Sequence, residues 1–117
     1  MSSGVDAAEI VRQRLQADLR SALKQRASLE VSVLRSLIAA IDNAGAVALE
    51  PGRPPPRHEV ERRHLGFDEI EAILLREYEA RRIAAEQLAR LGRPAESARA
   101  NEEMSVVSRY LSVAPRD

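Results

Sequence analysis

The sequence predicts an all-α fold: a small bundle of about four helices in two antiparallel hairpins, joined by a long Pro-rich loop. Three observations predict it. Apolar side chains recur at spacings of three and four along four separate stretches, as on one face of a helix. Apolar residues make up 44% of the 117 residues but aromatics only 3%, so the core is built from Leu, Ile, Val and Ala. Ala and Leu head the helix-propensity ranking. The third observation is one strong interruption, where Pro51, Gly52, Pro54, Pro55 and Pro56 exclude any helix.

The first helix is expected from about Ala7 to Ala27, with Val11, Leu15, Leu19, Ala22 and Leu23 on its apolar face. Asp6 suits the N-cap, and Glu9 three residues later completes a capping box. Residues 1–6 are expected to be a disordered N-terminus. Ser28 suits the cap of a second helix, from about Leu29 to Asn43, with Val33, Leu34, Leu37, Ile38 and Ile41 as its stripe. The short break between these helices favours a tight antiparallel hairpin over one kinked helix.

Residues 44–66 form the Pro-rich connection, extended by its prolines and long for a compact domain. Its stretch from Val60 to Leu65 is suited to lying along the bundle in extended form. Asp68 then suits an N-cap with Glu71 at the capping-box position, opening a third helix striped by Ile70, Ile73, Leu74, Ala84, Ala85, Leu88 and Leu91. Phe67 before that cap suits a hydrophobic staple against Ala72. Gly92 and Pro94 punctuate its end. A fourth helix runs from about Ala95 to Val113, with Met104, Val107, Tyr110 and Leu111 on its buried side. The whole of 1–117 is expected to be a single domain, in keeping with its length.

Composition narrows the function. Eighteen basic and 18 acidic residues cancel, so the strong basic excess of a dedicated nucleic-acid binder is missing. Charge segregated on one face still permits that role. With no cysteine, disulfides, zinc–thiolate sites and thiol chemistry are excluded. No apolar run reaches the roughly 18 residues of a membrane span, and no signal peptide is visible, so the expected location is cytoplasmic.

No catalytic residue, cofactor site or metal site can be named. His58 and His64 lack the i, i+4 spacing of a helical metal pair, and the serines have no oriented base beside them in sequence. The glycines form no phosphate loop. The third helix does carry a basic cluster, and Arg82, Arg90 and Arg93 can share a face. Two readings stand: a solvated, salt-bridged face, or a strip that contacts RNA phosphates and releases their counterions.

The order of several short motifs resembles the GatB/YqeY family. Leu15-x-x-Asp18-Leu19-Arg20-x-Ala22-Leu23-Lys24 looks like the opening of YqeY-like proteins. Val33-Leu34-Arg35-x-Leu37-x-x-Ala40-Ile41 is similar to a second segment, and Arg81-Arg82, Gly92-Arg93 and Tyr110-Leu111 resemble three more. Glu79, Ala80, Ala84 and Ser112 depart from the family pattern. The resemblance covers about residues 10 to 112 and concerns the N-terminal helical half. The family pattern continues into a smaller tail domain akin to that of the amidotransferase B subunit, and this chain is expected to correspond only to the half before it.

The resemblance implies association with glutamine-dependent amidation of misacylated tRNA, labelled carbon–nitrogen ligase activity with glutamine as amido donor. The B subunit's active site lies in another domain, so the expectation is an accessory module touching tRNA or a tRNA-amidation complex, without a catalytic site of its own. The alternative is a helical adaptor or homodimerising protein-interaction domain.

Overall fold

The computed structural model describes residues 6–46 and 64–111. They form four helices in the expected order: α1 (Ala7–Lys24), α2 (Ser28–Gly45), α3 (Phe67–Arg90) and α4 (Pro94–Leu111). α1 packs on α2 and α3 on α4, and α2 contacts both members of the second hairpin. Most of the Pro-rich connection, the expected extension of α4 to Val113, and residues 1–5 of the N-terminus expected to be disordered lie outside the described residues.

The core is a single aliphatic cluster. Val11 and Leu15 of α1 meet Val33, Leu34, Leu37 and Ile41 of α2, Ile70, Ile73 and Leu74 of α3, and Val106, Val107 and Tyr110 of α4. Leu65, the last apolar residue of the connection, also enters it, buried. Two expected stripe residues are exposed instead. Leu23 is 46% exposed and Leu91 is 69% exposed. Both lie where their helix runs out, beyond the reach of the neighbouring helices.

The helix starts are partly as expected. Asp6 caps α1, its carboxylate accepting from the Ala8 N–H at 3.1 Å, so this last residue of the expected disordered end is held in place. Glu9 does not complete the box, since it accepts instead from Gln13 at 3.3 Å. The cap of α2 is Ala27 rather than Ser28, which is already helical. The cap of α3 is Gly66 rather than Asp68, and Glu69, not Glu71, reaches back to its N–H at 3.3 Å. Only that half of a capping box exists, because glycine has no side chain to return the bond. Phe67 is therefore the first helical residue, not a staple before the cap, and it packs against the core.

α3 has 24 residues against 18 in each of the others, an excess of about 9 Å at 1.5 Å per residue. Its far half and the start of α4 stand outside the shared core and hold themselves together as a two-helix arm. Ala85, Ser97 and Ala100 are buried there but are not part of the core cluster. The Ser97 hydroxyl donates to the Ala85 carbonyl at 2.8 Å, which is possible because the facing side chains are small. Arg81, only 14% exposed, lies 3.0 Å from Glu77 and 3.2 Å from Glu103, tying α3 to α4.

Both hairpins close on the same turn. After α3, the Gly92 N–H donates to Ala89 at 3.1 Å and the Arg93 N–H to Leu88 at 2.9 Å, with Gly92 at φ 74. After α1, the Arg26 N–H donates to Leu23 at 3.2 Å and the Ala27 N–H to Ala22 at 3.0 Å, with Arg26 at φ 56. Each is a Schellman motif, whose left-handed residue is usually glycine. An arginine there carries a steric cost of about 1–2 kcal/mol. Arg26→Gly relieves it, less the entropy of a freer unfolded chain. The expected result is a net gain of about 0.5–1 kcal/mol in a urea melt.

Candidate nucleic-acid interface

The three arginines singled out from the sequence all lie on the two-helix arm. Arg82 is midway along α3, Arg90 is its last residue, and Arg93 sits at the corner before α4. The Schellman turn fixes that corner. Pro94 begins α4 with no N–H to leave unbonded, and the Arg93 carbonyl accepts from the Ser97 N–H at 3.0 Å. Arg90 meets the negative end of the α3 dipole, a favourable place for a cation.

Their electrostatic surroundings differ. Arg82 is held on both sides by acids of its own helix. Its Nε donates to both Glu79 carboxylate oxygens at 3.0 Å, its Nη2 to Glu79 at 2.8 Å and its Nη1 to Glu86 at 2.7 Å. The hydrogen bond with Arg82 holds the Glu79 carboxyl below its ordinary range, and Glu79 in turn raises the guanidinium. Arg82 is thus fully charged within a locally acidic triad. Arg93 has a single loose neighbour, Glu96 at 3.9 Å. Arg90 makes no ion pair among the described residues. The three arginines therefore differ: Arg82 is salt-bridged, Arg93 is loosely paired, and Arg90 has no ion pair among the described residues.

Arg81, adjacent to Arg82 in sequence, faces the other way and is committed to joining the arm's two helices. Arg99 on α4, exposed on the same arm, is a further cation that the sequence reading passed over.

Several other polar contacts join the helices. The Tyr110 hydroxyl donates to Asp18 Oδ2 at 2.5 Å, joining the end of α4 to α1, while Arg14 lies 3.5 Å from the same carboxylate. Burial, and then the bond to Asp18, push the phenol above its ordinary pKa, so it stays protonated near neutral pH and acts as a donor. Arg12 pairs with Asp42 at 2.9 Å across the first hairpin, and Arg109 with Glu30 at 3.4 Å across α4 and α2. His64 is 90% exposed and 3.9 Å from Asp6, whereas His58 lies outside the described residues. No cluster of three metal-ligating side chains occurs among the described residues. None of the described helices is long and apolar enough to cross a membrane.

Comparison with known families gives one finding: the model described as Yqey-like protein matches residues 12–114, nearly the whole chain. No curated protein and no solved structure matches.

Proposed function

The chain belongs to the Yqey-like protein family, and from that premise we propose that it is a binding module linked to tRNA-dependent amidation, without a catalytic site of its own. It touches tRNA, or a tRNA-amidation complex, through the two-helix arm. The observation that carries this reading is the placement of Arg82, Arg90 and Arg93 on an element that leaves the core, where their substitution does not disturb packing. Phosphates are contacted by such cations with release of condensed counterions. The zero net charge keeps the binding weak, about micromolar or worse at physiological salt.

The geometry also ranks the three residues. Arg82 must exchange the bonds to Glu79 and Glu86 for any phosphate contact, so it gains least. Titration of fluorescently labelled tRNA should show Arg90→Ala and Arg93→Ala each weakening binding more than Arg82→Ala, with all circular dichroism spectra unchanged. Equal affinity of wild type and the triple alanine variant would make the surface a solvated face.

A second reading, a helical adaptor or homodimer, draws on Leu75 and Ile83 of α3 and Leu91 just past its end, which are 44%, 45% and 69% exposed. These are single exposed residues, which are common on any protein surface. The adaptor reading leads only if the tRNA titration fails.

A further inference from the structure

Where α1 gives way to α2, an open groove of about 530 Å³ is lined by Leu23, Arg26, Ser28, Val31, Ser32 and Arg35. Its floor is apolar: Leu23 is 46% exposed and Val31 is half-buried. Its cations are unopposed. Arg12, Arg14, Arg81, Arg82, Arg93 and Arg109 each have an acidic neighbour. Arg26 and Arg35 make no ion pair among the described residues, and Lys24, one residue on from Leu23, makes none either. Ser28, Val31, Ser32 and Arg35 follow one side of α2 over about 10 Å, the length of two helical turns.

Arg26 supplies a separate argument. It occupies the left-handed position that Gly92 fills in the other hairpin, so the chain keeps a long cation where the backbone favours glycine. Backbone strain retained at an exposed position points to a use for the side chain.

We propose that this groove docks an acidic amphipathic helix of a partner protein. An apolar side chain of that helix seats on Leu23 and Val31, and carboxylates one turn to either side meet Arg26 and Arg35, forming charge-assisted hydrogen bonds. A helix fits the site better than a nucleic-acid strand, because no aromatic side chain lines the groove to stack a base. This surface is distinct from the arm, and the inference does not rest on the tRNA reading.

Selection of a displayed library of random 16-residue peptides on the full chain tests it. The enriched peptides should carry Asp or Glu flanking an apolar residue at helical spacing. In fluorescence anisotropy, Arg35→Ala, Arg26→Gly and Leu23→Ser should each weaken the best peptide about tenfold, the cost of one charged hydrogen bond or one apolar seat. Arg26→Gly relieves backbone strain, so its loss of binding cannot come from unfolding. The proposal is overturned if no peptide is enriched, if the enriched peptides lack carboxylates, or if the variants bind them unchanged. It is equally overturned if a single-stranded RNA oligonucleotide displaces the peptide from the groove, or if the variants dissociate a dimer of this chain.

Discussion

Leu74→Ala and Leu34→Ala should each lower the free energy of unfolding by about 2–5 kcal/mol. Both side chains are 0% exposed and sit in the one cluster that all four helices share. Truncation removes the transfer free energy of the lost carbons and leaves a cavity that neighbouring helices cannot fully close. Domains of this size carry only about 5–15 kcal/mol in total, so either variant forfeits a large share. At about 4–8 °C per kcal/mol for a chain near 100 residues, the melting temperature should fall by roughly 10 °C or more. Leu91→Ala, at an exposed position, should stay within about 0.5 kcal/mol of wild type. Urea melts of the three variants check the contrast, and equal midpoints would show that the stripes of α2 and α3 are not the core.

The second large effect concerns Tyr110. The residue is 1% exposed, and its hydroxyl bonds a carboxylate 92 residues away in sequence. Tyr110→Phe keeps the ring and removes the bond. A hydrogen bond to a charged group contributes about 1.5–3 kcal/mol. The Asp18 side chain is 35% exposed and retains Arg14 and solvent, so the expected loss is about 1–2 kcal/mol.

The effect depends on pH in a definite direction. The unfolded phenol ionises near its ordinary pKa of 10.0, while burial and Asp18 raise that of the folded protein. The folded state therefore holds the proton that the unfolded state releases. The hydroxyl's contribution is complete below about pH 10 and shrinks as the pH rises above it. The stability difference between wild type and Tyr110→Phe should be constant from pH 7 to 9 and narrow above pH 10. A difference that stays constant or widens there would mean that the phenol is not protected by the fold.

Much of the fold was legible because the information is local. A 3.6-residue period tells which side of a helix is apolar, and Asp6 punctuates by its side chain, Gly92 and Pro94 by their backbone chemistry. What the period cannot tell is how far the neighbouring helix extends. Leu23 and Leu91 have the right phase but sit at helix ends with nothing to cover them. Cap assignment failed at Asp68 because Gly66 competes for the same role, and Glu69 suits Gly66 as well as Glu71 suits Asp68. The site was less legible. Arg81 and Arg82 are neighbours in sequence, yet about 100° of helical rotation sends one into α4 and the other outward. Only the position of α4 separates them. The bond from Tyr110 to Asp18 spans 92 residues and has no local signature. One signal is local: Arg35 has no acidic residue three or four positions away on either side, which marks an unopposed cation.

The most direct measurement of the central claim is the salt dependence of tRNA binding. If the arm meets phosphates through Arg82, Arg90 and Arg93, the logarithm of the association constant should fall with the logarithm of salt concentration at a slope of roughly −2 to −3. Removing Arg90 or Arg93 should reduce that slope by about one unit, and removing Arg82 by less. A wild-type chain that shows no salt-dependent tRNA binding, or a triple alanine variant with the wild-type slope, would contradict the account.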